Sequence, residues 1–93
     1  YDRVADRATT LYPRLQRPRG ERFAHPESGR GYRMDEVDDL LDRLAAYFDD
    51  GEPLSADDVR QATFRPARGK KAYAEGPVDA FLGRAVDILL AVD

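Results

Sequence analysis

The chain has 93 residues, no cysteine, 42% apolar residues and a formal net charge of -3. This length predicts one small domain, residues 1–93, with a thin core that oligomerisation would help to bury. The absence of cysteine excludes disulfide bonds and thiolate chemistry. No stretch approaches the roughly 20 apolar residues that a membrane span needs.

The first half of the chain predicts a short helix, an irregular loop and a long amphipathic helix. Apolar spacing indicates a helix over residues 2–11, which Pro13 should end. Proline and glycine then recur so densely that residues 13–32 are expected to be a loop. Residues 33–49 carry a single apolar stripe and form the clearest predicted helix, which Gly51 should terminate.

The second half of the chain predicts the same order of elements. Residues 55–63 should form a short helix, because Ser55 and Asp58 have the spacing of a capping box. A basic loop follows over residues 64–75, and a strongly apolar helix is expected over residues 76–92. No segment shows the alternation of a strand, and the sequence therefore predicts an all-α fold.

Two segments of the chain repeat each other at an offset of 41 residues. Between residues 23–43 and 64–84, 6 of 21 aligned positions are identical. The aromatic and aliphatic members of this set are predicted to anchor each loop and helix in the core, and a duplicated unit of this kind favours a structural or binding role. These anchors are Phe23, Tyr32, Val37 and Leu41 in the first copy, and Phe64, Tyr73, Val78 and Leu82 in the second; Asp38/Asp79 and Arg43/Arg84 complete the identities.

The repeat predicts two half-repeats, one over about residues 1–50 and the other over about residues 54–93, each with a short helix, a basic loop and a long helix. The two long helices are expected to pair side by side, as in a coiled coil. The connection over residues 50–75 is long enough to return along a helix of roughly 25 Å, which makes a parallel pair feasible. An antiparallel hairpin would normally use a much shorter link.

Charge alternates along the chain in step with the repeat. Residues 1–33 hold eight arginines and four acids, whereas residues 34–59 hold ten acids and one arginine. Residues 60–71 hold five basic residues and no acid. The basic loops could attract an anionic surface or the acidic helices of another copy, although solvation alone would also account for them. The candidate anion or membrane contacts are Arg30, Arg33, Arg68, Lys70 and Lys71.

No group of residues in the sequence has the pattern of a catalytic or metal site. His25 is the only histidine, and it has no neighbouring ligand at a metal-binding spacing. The acidic residues between 35 and 42 lack the order of a calcium loop and suit the start of a helix instead. The basic run over residues 68–71 lacks the order of a phosphate-binding loop. We therefore expect no enzymatic activity, no catalytic residue, no metal and no cofactor.

The repeat unit also has a recognisable order: phenylalanine, tyrosine nine residues later, and Val-Asp five residues after that. The fullest match runs from Leu54-Ser55-Ala56-Asp57-Asp58-Val59-Arg60 through Phe64, Tyr73, Val78-Asp79 and Phe81-Leu82. The first copy supplies Phe23, Arg30-Gly31-Tyr32, Asp35-Glu36-Val37-Asp38 and Leu40-Leu41-Asp42. This order resembles the amino-terminal domain of the DivIVA family over about residues 23–89. The resemblance is to small tandem-repeat DivIVA-domain proteins rather than to the long coiled-coil scaffold of the family.

The resemblance implies a scaffold that recruits partners at division sites and curved membranes. In the family, a hydrophobic residue and an arginine at the loop tip contact the bilayer. Arg30 matches that arginine, but Gly29 takes the hydrophobic position, and Lys70 and Lys71 take the two places in the second copy. Without the hydrophobic residue, the charge of the five basic residues leaves electrostatic adsorption to anionic lipid as the expected membrane contact, at about 1 kcal/mol per basic residue near the surface.

Three functions follow as hypotheses from the sequence. The first is a non-enzymatic adaptor of bacterial cell division or polar growth, which resembles DivIVA-domain proteins. The second is an electrostatic binder of anionic membrane or nucleic acid through the basic loops, and the third is an accessory domain of an enzyme. We expect protein partners, a homodimer and weak contact with anionic membrane, with nucleic acid as the least favoured partner. The expected location is cytoplasmic, peripheral to the inner face of the membrane.

Overall fold

The computed structural model describes residues 11–92, and these residues form a mixed α/β fold. Residues 11–15 are helical, and three further helices follow: α1 (Met34–Asp50), α2 (Ala56–Arg60) and α3 (Glu75–Val92). Three short strands, β1 (Arg30–Arg33), β2 (Pro66–Arg68) and β3 (Ala72–Tyr73), form an antiparallel sheet in the order β2-β1-β3. A 3-10 turn over Gly69–Lys71 separates β2 from β3. The all-α prediction is therefore wrong.

The sheet forms because the two predicted loops pair with each other. β1 comes from the first loop, and β2 and β3 come from the second. In β1, Tyr32 lies opposite Tyr73, and Arg30 lies opposite Arg68. Strands of two to four residues are too short for an alternating pattern. Their stability depends on a partner far away in the sequence, so local patterns gave no indication of them.

The long helices begin and end where local sequence signals place them. α1 starts at Met34, one residue after the predicted start, and α3 starts 41 residues later at Glu75. Gly51 ends α1 in the left-handed conformation, with φ of 72°, and its N–H donates to the carbonyl of Tyr47 at 3.2 Å. The predicted bounds of α1 and α3 are confirmed to within one residue at every end.

The capping box of α2 is confirmed. The N–H of Asp58 donates to Ser55 Oγ at 3.0 Å, and the N–H of Ser55 donates to Asp58 Oδ2 at 2.9 Å. The helix itself is shorter than predicted and ends at Arg60.

The predicted helix over residues 2–11 lies almost wholly outside the described residues. The expected end at Pro13 is wrong, because the helical conformation continues to Leu15. Leu11 and Leu15 are both buried and lie four residues apart, so they share the face that packs into the core. Tertiary packing therefore outweighs the local signal from proline.

The two long helices do not pair side by side, which corrects the coiled-coil prediction. β1 and β3 are antiparallel, and each is followed within two residues by a long helix, so α1 and α3 leave the sheet at opposite ends. Each packs with a short helix instead: α2 packs against α3, and Tyr12 contacts Phe48 of α1 with ring centroids 6.0 Å apart. The described molecule is 41 Å long, well beyond the roughly 25 Å of α1 alone.

Buried side chains from both halves form one contiguous core around the sheet. The cluster includes Leu41 and Leu44 of α1, Val59 of α2, and Phe81 and Leu89 of α3. Tyr73 is the largest fully buried side chain among those the structure describes. Tyr73 of β3 thus lies in a core to which both halves contribute.

Gly31 permits the close approach of β1 and β3. A Cβ atom at this position would collide with the backbone carbonyl of Tyr73. We predict that Gly31→Ala lowers the free energy of unfolding by at least about 2 kcal/mol, because backbone atoms would have to move. Urea unfolding followed by circular dichroism measures this loss. The control is Gly83→Ala in α3, where a Cβ meets nothing within 4 Å. A smaller loss for Gly31→Ala than for this control would contradict the packing.

Candidate functional site

The repeated tyrosines and aspartates bond across the two halves. Tyr32 donates its hydroxyl hydrogen to Asp79 Oδ1 at 2.6 Å, and Tyr73 donates to Asp38 Oδ1 at 2.8 Å. Each tyrosine therefore bonds to the aspartate of the opposite half. We call these two reciprocal bonds the Tyr–Asp exchange. The repeat therefore has a structural role, because each copy supplies the hydrogen-bond acceptor for the tyrosine of the other copy.

Backbone bonds follow the same exchange. The N–H of Arg33 donates to the carbonyl of Arg65 at 2.8 Å, and the N–H of Ala74 donates to the carbonyl of Ala24, also at 2.8 Å. The two bonds are equivalent under the repeat, because Ala74 lies 41 residues after Arg33 and Ala24 lies 41 residues before Arg65. The structure thus has approximate two-fold symmetry about the Tyr32–Tyr73 pair.

The repeated aromatic rings obey this symmetry as well. Phe23 packs on Tyr73 with ring centroids 5.3 Å apart, and Phe64 packs on Tyr32 at 5.2 Å. Both pairs join opposite halves, and their distances suit favourable edge or tilted contacts. The predicted anchors fall into two groups by burial. Phe23, Val37, Leu41, Tyr73 and Val78 are buried, whereas Tyr32, Phe64 and Leu82 are half-buried.

The two halves differ at a polar cluster in which Arg22, Asp38 and Tyr73 are buried and Asp42 lies at the exposed rim. Asp38 is 2% exposed and Arg22 is 5% exposed. Asp38 accepts hydrogen bonds from the backbone N–H of Gly20 at 2.8 Å and from Tyr73, and it lies 3.5 Å from the guanidinium of Arg22. Asp42 completes the cluster with a 2.8 Å ion pair to Arg22.

The guanidinium of Arg22 also donates hydrogen bonds to backbone carbonyls of the surrounding chain. Besides the two carboxylates, it donates to the carbonyls of Leu15, Arg17 and Asp38 at 3.1–3.3 Å. Within the described residues, no buried side-chain nitrogen or oxygen lacks a partner. A cluster that is satisfied in this way fixes the segment before Phe23 onto α1.

Three pKa values respond to these contacts. Burial, together with the bond to Asp38, raises the pKa of Tyr73 to about 12, and the bond to Asp79 raises the pKa of Tyr32 to about 12. Partial burial works against ionisation of Asp42, yet the bonds from Arg22 and Arg19 hold its pKa below the ordinary value. The two tyrosines are therefore neutral hydrogen-bond donors over the physiological pH range.

The five basic residues singled out in the sequence come together on the sheet and its 3-10 turn. Arg30 and Arg33 belong to β1, Arg68 to β2, and Lys70 and Lys71 to the turn. They line two adjoining clefts of about 450 and 420 Å³, which share Arg33 and Lys71. We call these five residues the basic sheet patch. The sequence identified its members, but only strand pairing brings residues of the two loops together.

Charge within the basic sheet patch is largely uncompensated. Arg30 lies directly opposite Arg68 in the β1–β2 ladder, an arrangement of like charges that is unfavourable without a counterion. Among the described residues, only Arg33 of the five has an ion-pair partner, Asp35 at 2.9 Å. All five side chains are exposed. The patch therefore has the charge and accessibility needed to bind an anion.

The acidic residues of α1 are largely engaged by arginines rather than gathered into a metal site. Asp39 and Asp42 bind Arg19 at 3.0 and 2.6 Å, and Glu36 binds Arg65. His25 is exposed, and its Nδ1 lies 2.9 Å from the carbonyl oxygen of Ala72. The described part of the chain contains no group of three or more residues placed to hold a metal ion.

The sequence did not indicate the role of Arg22, which immediately precedes the repeated segment. The one available signal is a difference between copies, since Thr63 occupies the position equivalent to Arg22. No family model, curated protein sequence or solved structure matches the chain. None of the helices in residues 11–92 has both the length and the apolar character required to cross a bilayer.

Asp38 is buried and Asp79 is exposed, so the same substitution at both positions tests how much burial contributes to stability. We predict that Asp38→Asn lowers the free energy of unfolding by about 2–4 kcal/mol, because the buried charge of Arg22 loses a partner. The same substitution at the exposed Asp79 should cost less than about 1 kcal/mol. Chemical denaturation of the two variants measures both values, and equal losses would rule out the asymmetry described above.

The raised tyrosine pKa values predict a loss of stability at alkaline pH. The folded state holds protons that the unfolded state, with an ordinary tyrosine pKa of 10.0, releases. The contribution of the two bonds is therefore complete below about pH 10 and is lost as the pH rises towards 12. Phenolate absorbance should show delayed ionisation of Tyr32 and Tyr73, and Asp79→Asn should bring only Tyr32 back towards 10. If both tyrosines ionise with a pKa near the ordinary 10.0 in the folded protein, the predicted pKa shifts are wrong.

Proposed function

We propose that this chain is a non-enzymatic adaptor module that contacts an anionic membrane surface through the basic sheet patch. The observation that carries the proposal is the pairing of Arg30 with Arg68, beside Arg33, Lys70 and Lys71, without enough carboxylates among the described residues to neutralise them. Phosphate groups of anionic lipid would relieve this repulsion. Each basic residue near such a surface contributes about 1 kcal/mol.

Features of the patch favour a lipid surface over nucleic acid. Binding of single-stranded nucleic acid normally uses aromatic side chains on which bases stack. Between its basic residues, the 450 Å³ cleft of the patch is lined by Pro66 and Ala67, with no aromatic residue in its described lining. Gly29 and Lys70 stand where a hydrophobic loop tip would insert, so contact with the membrane would be electrostatic and shallow.

The sequence resemblance to tandem-repeat DivIVA-domain proteins supports a setting in bacterial cell division or polar growth. Proteins of that family pair two chains, and in this chain the Tyr–Asp exchange joins two repeats of one chain. An adaptor of this type would lie in the cytoplasm at the inner face of the membrane and recruit protein partners there.

Vesicle binding tests the proposal. We expect the protein to sediment with vesicles that contain anionic phospholipid and not with purely zwitterionic vesicles. Reversal of both lysines, Lys70→Glu with Lys71→Glu, should weaken binding at least about 30-fold, since two favourable contributions of about 1 kcal/mol are lost. Binding should also weaken steeply as salt is raised.

The control for this experiment reverses Arg43 and Arg84, which are exposed and lie outside the patch. This double variant changes the net charge equally and should bind vesicles as well as the wild type does. Equal weakening by both double variants would point to net charge rather than the patch and contradict the proposal. Binding to single-stranded DNA in preference to anionic vesicles would replace the membrane with nucleic acid as the target.

A further inference from the structure

An open groove of about 470 Å³ lies between α2 and α3 in the second half of the chain. Apolar side chains that are only half-buried form much of its lining, and the carboxylate of Asp79 lies within it. We call this cavity the second-half groove. Its lining includes Val59, Thr63, Asp79, Leu82, Gly83 and Val86, together with Arg60, whose guanidinium pairs with Asp57 at 2.9 Å.

The second-half groove is the symmetry equivalent of the buried polar cluster. Asp79 corresponds to Asp38 at the offset of 41 residues, and both accept a bond from a repeat tyrosine. The positions of Arg22 and Asp42 are taken by Thr63 and Gly83. The same slot thus exists in both halves, but the two side chains that fill it in the first half are missing in the second.

Burial agrees with this correspondence. Leu41 of α1 is 0% exposed, whereas its equivalent in α3, Leu82, is only half-buried. A Cβ atom added to Gly83 would meet nothing within 4 Å, which confirms open space at the position of the missing carboxylate. In the described residues, no arginine or lysine lies within ion-pair distance of Asp79. Its carboxylate is exposed and retains capacity for a cationic donor.

From this comparison we infer that the second-half groove binds an arginine-bearing segment of a partner protein. The guanidinium would bind Asp79 as Arg22 binds Asp38, and aliphatic side chains beside it would cover Leu82 and Val86. The first half of the chain shows what fills such a slot, and the charge of Asp79 selects a cation. This inference rests on the proposed adaptor function and defines the chemistry of the partner.

An NMR titration with a defined probe tests the inference. The probe is acetyl-Leu-Arg-Leu-amide, and its control is the same peptide with neutral citrulline in place of arginine. We expect the arginine peptide to shift backbone resonances of Val59, Thr63 and Leu82, with binding at least about tenfold tighter than that of the citrulline peptide. Asp79→Asn should weaken binding about tenfold, whereas Asp87→Asn, an exposed acid on the same helix outside the groove, should not.

A second variant fills the slot from within the chain. Thr63→Arg combined with Gly83→Asp restores the two side chains of the first half, and it should raise the thermal midpoint and abolish peptide binding. Peptide shifts confined to the acidic face of α1, equal binding of the citrulline peptide, or wild-type binding by this double variant would each overturn the inference. If the wild-type protein binds anionic vesicles but not the peptide, only the groove inference is contradicted. If it binds the peptide but not the vesicles, only the membrane proposal is contradicted.

Discussion

Tyr32 and Tyr73 lie opposite each other in the β1–β3 ladder, and each donates its hydroxyl hydrogen to the aspartate of the opposite half. Most other features depend on this Tyr–Asp exchange. It requires antiparallel strands, and antiparallel strands send α1 and α3 away from each other. Each long helix then needs a short helix to cover its apolar face. A duplicated sequence has here produced two halves that complete each other.

The exchange is symmetric in its bonds but not in its surroundings. Around Asp38, the guanidinium of Arg22 and a wrapped segment exclude water, so the first half is closed. Around Asp79 the equivalent filling is absent and a groove remains. Asp38 and Asp79 occupy equivalent repeat positions but differ in burial, so the first half shows which side chains are missing around Asp79. We therefore propose the second-half groove and the basic sheet patch as the binding surfaces of the domain, while the closed first half stabilises it.

Local signals in the sequence predicted the parts of the fold that depend on neighbouring residues. The apolar stripe of α1, its glycine stop and the capping box of α2 all involve residues a few positions apart. The strands were missed because they require partners about 40 residues away, and their glycine and proline content indicates loops. The five basic residues were identified singly, but their assembly into one patch follows from the sheet. Arg22 was missed because burial of a guanidinium has no periodic signal.

The central claim is that neither half is complete without the other, and separation of the halves tests it directly. Two fragments, residues 1–50 and 52–93, can be made by removing the exposed Gly51. Circular dichroism and size-exclusion chromatography should find each fragment without a cooperative unfolding transition, and an equimolar mixture should restore that transition in a 1:1 complex. A fragment that folds cooperatively as a monomer would contradict the exchange of contacts between the halves.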